Sequence, residues 1–572
     1  MFQTKRWKVI SLLTNNFETT FSTPESVAKL RDVILTLAMQ GKIVEQDPND
    51  YSAIHLLESI LDESKNLSGN NKSKRSSELK QTVQNVSPYI LPKGWTWSKI
   101  GLVGNIFNGN SINPDEKETK YSGVSGIPYI ATKDVGYGFD SLDYTNGIYI
   151  PSTEKKFRIA NEGTVLICSE GGSAGKKCGI TNRSICFGNK LFALEPLGGI
   201  PPKFILYYYL SPFFRKSFSQ VMTGIIGGVS LSKFVELPIP IPPIKEQFRI
   251  VNKLDKLMEY CDKLDDLFSK REDIRFAVHD ATKHFLLEDG NKSQSKAWQF
   301  LVNSFNEIYN RRDNISNLRS TILNLAVAGH LSEKKESDRS VEHLLSDIRS
   351  ERLRLKLRKT VESINSTCPL GYEIPSHWTW LRLEEILTFG PTNGISPRAV
   401  NYETNVRSLT LSATTSGVFK EEHSKFIDTE IPEDSHLWLK DGDILVQRGN
   451  SLEYVGVPAV YRGKDRIFIY PDLMMKIRVS IHINTDYVYY VMSSEPCRQY
   501  LRAHAAGTSI TMPKINQKAL KNLPIPIPPL DEQKRIVATI KRLLDYCEDL
   551  EQHLVSAENK QKEFLDAILA QV

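Results

Sequence analysis

The chain repeats itself. Leu237-Pro-Ile-Pro-Ile-Pro-Pro-Ile244 returns 286 residues later as Leu523-Pro-Ile-Pro-Ile-Pro-Pro-Leu530. Behind it, Glu246-Gln247 and Arg249-Ile250-Val251 return as Glu532-Gln533 and Arg535-Ile536-Val537, and Tyr260-Cys261 as Tyr546-Cys547. Upstream, Pro92, Trp95, Thr96 and Trp97 return as Pro375, Trp378, Thr379 and Trp380. Leu30, Arg31, Ile34, Leu35, Leu37, Ala38 and Gly41 return as Leu318, Arg319, Ile322, Leu323, Leu325, Ala326 and Gly329, and His55-Leu56-Leu57 as His343-Leu344-Leu345. Blocks kept in one order at nearly one offset mean a tandem duplication, and each copy must fold on the same plan.

Each copy reads as a short helical arm, a Pro-x-x-Trp-Thr-Trp opening, a variable block, a proline run and a long helix. The blocks have similar lengths, 142 residues from Trp95 to Leu237 and 145 from Trp378 to Leu523, yet little aligns between them. The exception is Glu162-Gly-Thr-Val-Leu-Ile167 against Asp441-Gly-Asp-Ile-Leu-Val446. A kept frame with changed contents is what two readers of two targets require. The boundaries that follow are an arm and linker over 1–90, a block over 91–243, a helix over 244–290, a central arm and linker over 291–373, a second block over 374–529 and a second helix over 530–572.

After each proline run, Val251, Leu254, Met258, Cys261, Leu264 and Phe268 step by three and four, and Val537, Ile540, Leu544, Cys547, Leu550 and Leu554 step identically. That spacing lays one apolar stripe along a helix of about 35 residues, with a period suited to a helix–helix seam. The expectation is that the two stripes pack together; the plainer alternative is that each packs on its own copy. Both Tyr-Cys pairs read as part of that packing. The proline runs lack amide donors and fix φ, so they are expected to be stiff extended connectors. Residues 62–87 read as a polar linker, 332–339 as strongly charged, and 349–366 as a solvated helix or linker. The variable blocks hold short runs of β-branched and aromatic residues between glycines, as in Gly126–Ile130 and Arg466–Tyr470, which predicts short strands. Each closes on a predicted helix, Lys203–Gln220 or Thr485–Ala503, then a Gly/Ser/Thr loop over Thr223–Ser232 or Gly507–Met512. The fold class is therefore mixed α/β: two β-rich modules in tandem with long helices.

Composition narrows the function by exclusion. A net charge of +6 permits an anionic partner without demanding one. No apolar run approaches the roughly 18 residues of a membrane span. The basic start at Lys5, Arg6 and Lys8 leads into an apolar stretch broken by Ser11, unlike a signal peptide. Seven cysteines with no Cys-x-x-Cys pair fit a reducing cytoplasm and no zinc site.

Catalytic patterns fail on inspection. Gly171-Gly-Ser-Ala-Gly-Lys-Lys177 is one residue short of a phosphate-binding loop and has Lys177 where a hydroxyl must hold magnesium. It reads better as a basic turn able to approach a nucleic-acid backbone. The Asn/Asp-Pro-Pro-Tyr/Phe tetrapeptide of amino-methyltransferases is absent; Ser211-Pro-Phe-Phe214 does not match it. Asp472 and Glu532-Gln-Lys534 do not make a nuclease metal site, because the second lies on the frame helix. The histidines show no ligand spacing, and the repeated tryptophans beside each block read as anchors more readily than as base-stacking platforms. No metal, cofactor or catalytic centre is expected in the chain itself.

The twice-repeated Pro-x-x-Trp-Thr-Trp and the Leu-Pro-Ile-Pro-Ile-Pro-Pro-x-x-Glu-Gln run resemble the specificity subunits of type I restriction–modification systems, over nearly the whole chain. The repeated N-terminal arm makes it similar to the longer members. The resemblance implies two target-recognition domains held apart by antiparallel helices, each reading one half of a bipartite double-stranded DNA site. It implies two methyltransferase subunits, which bind S-adenosylmethionine and methylate adenine, and restriction subunits with an ATP- and magnesium-dependent translocase and nuclease. The chain would then be a non-catalytic DNA-binding subunit of the cytoplasm with no membrane partner. The rival readings are a protein-binding scaffold and an autonomous DNA-modifying enzyme.

Phosphate contacts set register and affinity while side chains on base edges set sequence. Loop-borne basic, amide and hydroxyl residues are thus the candidates. They are Lys133, Ser169, Ser173, Lys176, Lys177, Lys190, Ser230 and Lys233 in the first block, and Arg398, Arg448, Asn450, Arg462, Thr508, Ser509 and Lys514 in the second.

Overall fold

The computed structural model describes residues 17–21, 23–67, 88–224, 227–287, 291–357, 361–364, 368–506 and 513–571. The chain divides into two compact units, Met1–Glu272 with Lys560–Val572, and Asp273–Asn559. Each holds one copy of the repeated frame around one variable block.

In the first unit the block is built on two sheets. A four-stranded antiparallel sheet runs Gly104–Asn108, Leu191–Pro196, Val165–Cys168, Cys178–Ile180. The second runs Tyr149–Ile150, Ile127–Ile130, Ile185–Phe187, Ile159–Ala160, with its two middle strands parallel. The second unit repeats the first sheet as Leu387–Asn393, Met474–Val479, Ile444–Gln447, Pro458–Val460. It repeats the second as three strands, Ser424–Phe426, Arg407–Leu409 and Phe468–Ile469, again with one parallel pair. Strands are short because glycines and prolines punctuate the β-branched runs. Val165, Leu166 and Ile167, like Ile444, Leu445 and Val446, are fully buried, as central strands covered on both faces must be.

The proline runs are more than connectors. Pro238–Ile241 pairs antiparallel with Thr96–Lys99, and Pro524–Ile527 with Thr379–Arg382, in identical registers. Prolines alternate with isoleucines, so the missing donors all fall on one edge and the Ile239 and Ile241 amides remain for the ladder. A two-stranded ribbon tolerates that where a central strand does not. The ribbon closes each block on itself.

Each predicted closing helix is two helices. Pro202–Leu210 and Pro212–Val221 break at Ser211, and Thr485–Ser493 and Glu495–Ala503 break at Ser494. Pro212 and Pro496 cannot continue the preceding helix, and each sits in the first turn of the next, where its missing amide costs nothing. The linker expected over 62–87 is shorter than that, since Ala53–Leu67 is helical; 68–87 lie outside the described residues. The charged stretch from 349 is also not simply solvated. Val341–Arg354 is a helix whose Glu351 and Arg352 are buried, the arginine donating to Glu384 O at 2.8 Å.

The long helices run Ile244–Leu287 and Leu530–Gln571, within the expected 244–290 and 530–572 and beyond the stretch that carries the stripes. Within its own unit each stripe packs on the arm helix of its own copy, the plainer of the two expectations. Val251, Leu254, Met258 and Cys261 pack into one core with Ile34, Leu35 and Ala38 of the first arm helix, Pro24–Met39. Cys547, Leu550 and Leu554 pack with Leu318, Ile322 and Leu325 of the second arm helix, Arg312–Val327. Val278, Leu286 and Leu287, at the far end of the first long helix, join that second cluster. Repeated ion pairs follow the same contacts: Arg31–Asp265 at 2.7 Å and Arg319–Glu551 at 2.9 Å. Of the Tyr-Cys pairs, only the cysteines pack; Tyr260 and Tyr546 are exposed.

The repeated signature residues form a latch at the base of each block. Trp95 donates its indole N–H to Glu246 Oε2 at 3.0 Å, and Gln46 donates to Oε1 at 3.1 Å. Arg249 pairs with Asp50 at 2.6 Å, and Gln247 donates to Pro242 O at 2.9 Å. The second copy repeats the outer bonds, Arg535 to Asp338 at 2.7 Å and Gln533 to Pro528 O at 2.9 Å. Its centre differs. His377 Nε2 lies 2.9 Å from Glu532 Oε2 and 3.1 Å from the Trp378 indole nitrogen, and one ring nitrogen serves one of these partners at a time. Arm and latch meet at Gly41 and Gly329, both at positive φ, where a Cβ would stand 2.4 Å from the ring of Pro92 or Pro375. Both pairs of tryptophans are buried anchors.

Candidate nucleic-acid interface

The two blocks present one loop arrangement twice. Val165–Cys168 leaves the first sheet into a turn that returns as Cys178–Ile180; Ile444–Gln447 does the same before Pro458–Val460. Each turn closes on a glycine at positive φ whose amide reaches back to the strand end, Gly175 to Cys168 O at 2.8 Å and Gly456 to Gln447 O at 2.7 Å. A side chain at Gly175 would collide with Phe218. The turn therefore joins two antiparallel strands, whereas a phosphate-binding loop leads from a strand into a helix. The Gly171–Lys177 segment lacks that topology as well as that spacing.

A late loop lies beside each turn. Val229 N donates to Ser169 O, and Ile515 N to Arg448 O, both at 2.9 Å. Glu170 bridges Gly228 as Gly449 bridges Lys514. A short helix follows each, Leu231–Phe234 capped by Ser230 and Gln517–Lys521 capped by Asn516. Aligned by these contacts, Ser169 corresponds to Arg448, Gly228 to Lys514 and Ser230 to Asn516.

In the first block this geometry gathers the candidates. Ser169 is buried at the strand end, its amide donating to Lys190 O at 2.9 Å. Ser173, Lys176 and Lys177 form the turn, with Lys176 exposed. Lys177 reaches Thr132 O at 3.3 Å and Lys133 O at 3.5 Å, which brings exposed Lys133 alongside. Lys190 pairs with Glu170 at 3.2 Å. Ser230 caps the late helix, and Lys233 stands exposed on it.

The second block gathers fewer. Arg448, Asn450 and Lys514 meet at the turn. Asn450 is tied into it, donating to buried Gln447 at 2.9 Å and accepting from Ser451 N at 2.8 Å. Gln447 in turn donates to Leu411 O at 3.0 Å. Arg398 is exposed two residues beyond Ser396, whose hydroxyl donates to Asp472; Arg448 approaches the carbonyl of that same Asp472 at 3.5 Å. Arg462 is placed elsewhere. It follows Pro458–Val460 at the end of the sheet away from the turn, and its guanidinium is held by Asp486 at 2.5 Å and Asp441 at 3.5 Å. Thr508 and Ser509 lie outside the described residues.

Some residues of this surface escaped the sequence reading. Arg498, buried on the helix after Ser494, donates to Val455 O at 2.5 Å and Glu453 O at 2.8 Å and so fixes the second turn; burial lowers its pKa to about 10. A polar cleft of about 660 Å³ opens beside Arg448, lined also by Glu384, Asn393, Asn516, Gln517, Lys518, Lys521 and Asn522. Asn393 belongs to an Asn-Gly pair that recurs from Asn108-Gly109; Gly109 and Gly394 both lie against a strand-end carbonyl, of Phe187 or Tyr470, where no Cβ fits. That echo is two residues long, too short to find without the contacts.

Chemically the surface offers cations, amides and hydroxyls. Among the described residues no group of His, Cys, Asp and Glu is placed to hold a metal. The buried Asp443–Lys476–Arg478 cluster behind it is structural: Lys476 donates to Trp438 O at 2.7 Å, and burial lowers its pKa to about 8. No helix of the described residues is long and apolar enough to cross a membrane.

The family described as type I restriction modification DNA specificity domain matches twice, over residues 92–266 and 375–557. The specificity subunit of the type I restriction enzyme EcoEI from Escherichia coli is 27% identical over 564 residues, 95% of this chain and 93% of the relative. That of EcoAI from Escherichia coli is 25% identical, with the same coverage. A solved chain associated with complex assembly and conformational transition of the type I R-M system superposes with a TM-score of 0.51 at 17% identity, covering 85% of this chain and 98% of the other. It supports the fold.

Proposed function

The chain belongs to the type I restriction modification DNA specificity family and has a role in DNA sequence recognition, and we propose that its two blocks read the two halves of one bipartite target. One observation carries this reading: the same turn, late loop and short helix stand on the same frame twice, with different side chains. A single target read twice would favour two like surfaces. The first block would read through the Lys176–Lys177 turn and the loop at Ser230, the second through Arg448, Lys514 and the loop between them. Lysine and arginine there supply phosphate contacts, and amides and hydroxyls supply base-edge contacts.

The chain directs chemistry carried by others. Two methyltransferase subunits bring S-adenosylmethionine and methylate adenine in the target, and restriction subunits bring ATP- and magnesium-dependent translocation and cleavage, all in the cytoplasm. The support is the family and the character of the surface, whose described residues offer cations, amides and hydroxyls.

Methylome mapping tests this in a host that lacks the activity and expresses the chain with its modification subunits. The expected product is N6-methyladenine in a motif of two parts around a fixed spacer, and exchange of residues 98–236 changes one part only. A motif without two parts, or an exchange that changes both, overturns the half-site assignment. An assembled complex that leaves no motif points to a protein scaffold instead.

A further inference from the structure

The cleft beside Arg448 differs in charge from the corresponding place in the first block. Along the aligned late loops and short helices, Arg448 replaces Ser169, Lys514 replaces Gly228, Lys518 replaces Ser232 and Lys521 replaces Val235. The reverse exchange occurs once, Lys233 against Ala519, and Glu236 stands where the second block has Asn522. One carboxylate, Glu384, lies on the cleft wall. Lys514 and Lys518 are exposed, Lys521 and Arg448 half-buried, and none of the four forms an ion pair among the described residues. In the first block Lys190 is paired with Glu170, Lys133, Lys176 and Lys177 stand at the turn with no ion pair among the described residues, and the late loop and short helix carry one lysine, Lys233.

Four neighbouring cations left without carboxylate partners repel one another, and an anion relieves that repulsion. Arg448 Nη1 makes only a long contact, at 3.5 Å, so its guanidinium remains available to a bidentate acceptor. Around it stand the side-chain amides of Asn393, Gln517 and Asn522, which bond phosphate oxygens without regard to sequence. An open polar cleft lined by cations and amides suits a strand of sugar-phosphate backbone. An acidic protein segment is the rival occupant, and it does not explain why the excess charge adjoins the reading turn.

We infer that Arg448, Lys514, Lys518 and Lys521 grip the phosphate backbone of the duplex at the second half-site, so that the late loop and short helix of the second block carry more of the salt-dependent affinity than those of the first. This rests on the half-site reading above and adds an unequal division of labour to it.

The test uses the full chain assembled with its modification subunits. The probes are a duplex carrying the motif found by methylation mapping and a duplex of equal length with both half-sites scrambled. Binding is measured across salt for the wild type, K518Q/K521Q and a charge-matched control on the arm loop, K334Q/K335Q. Each phosphate contact contributes about 0.9 to the slope of log affinity on log salt. K518Q/K521Q is expected to flatten the slope by about 2, so that the affinity lost between about 50 and 200 mM salt shrinks roughly tenfold. Its preference for the motif over the scrambled duplex persists, and the control leaves the slope unchanged. A wild type that prefers its motif while K518Q/K521Q keeps the full slope overturns the inference and leaves the half-site reading standing. Weakened assembly with the modification subunits at unchanged slope assigns the cleft to a protein and also overturns it. A wild type that does not distinguish the two duplexes fails the half-site reading itself.

Discussion

The two latches were built from one sequence and have drifted apart at their centres. In the first, Trp95 and Gln46 both donate to Glu246, so the buried carboxylate and the indole satisfy each other directly. In the second, His377 occupies the position of Gly94 and stands between Trp378 and Glu532, while Ser332 takes the place of Gln46 and donates at 2.7 Å. The outer bonds, Arg249–Asp50 and Arg535–Asp338, are unchanged. The frame thus keeps the position of its acid and tolerates change in what meets it. A buried charge must be partnered, but the partner's identity is free.

The largest effects should be shared by both copies. Trp95→Ala and Trp378→Ala each remove a buried aromatic and should cost about 3–5 kcal/mol, read as loss of unfolding free energy. Hydrogen exchange followed peptide by peptide locates the damage in the unit that carries the change. Confinement to the other unit would refute the separate latches. The next comparison separates them. Glu246→Ala orphans the buried Trp95 indole, at about 1–3 kcal/mol, while the exposed Gln46 keeps its bond to Gly41 O. Glu532→Ala leaves Ser332 and a partly exposed His377, which water reaches, and should cost less. Equal costs would mean that the two acids do the same work whatever meets them.

Smaller differences follow at the helix breaks. Ser211 Oγ accepts from Phe214 N at 3.2 Å and caps the following helix, whereas Ser494 makes no such cap bond. Ser211→Ala should therefore cost about 1 kcal/mol and Ser494→Ala less, by chemical denaturation. The last difference appears only in acid. The hydrogen bond from Arg535 holds the Asp338 carboxyl down to about 2, so its stabilisation is complete above the ordinary value of 3.8 and is lost as pH falls towards 2. Burial pushes Glu246 the other way, so its protonation in acid eases the first unit. Exchange rates below pH 4 should rise first around Arg535, and Asp338→Asn should abolish that acid dependence.

The frame was legible because it is written twice. Trp95, Trp378 and the Glu-Gln pairs stood out by recurrence, and burial explains why they recur. The fold class of two β-rich α/β modules with long helices was legible too. What failed did so where distant residues decide the outcome. Pro238–Ile241 reads against a strand until Thr96–Lys99, some 140 residues earlier, is known to lie beside it. The stripes on the long helices revealed a buried face without revealing the arm helices that cover it. Ser173, Lys176 and Lys177 share one glycine-rich turn that the sequence marks plainly, whereas Lys518 and Lys521 sit on a helix of five residues that looks like ordinary surface charge. Arg462 shows the opposite error, a loop cation already neutralised by Asp486.

The ribbon at the base of each block has a consequence for what the block can contain. Its two strands run antiparallel, so a block leaves the frame and rejoins it at neighbouring points, about 5 Å apart. Whatever lies between is a cassette: its length and contents can change while both ends stay where the frame needs them. The flanking Trp-Thr-Trp and Leu-Pro-Ile-Pro segments are the same in both copies, so either block meets the frame through the same two strands.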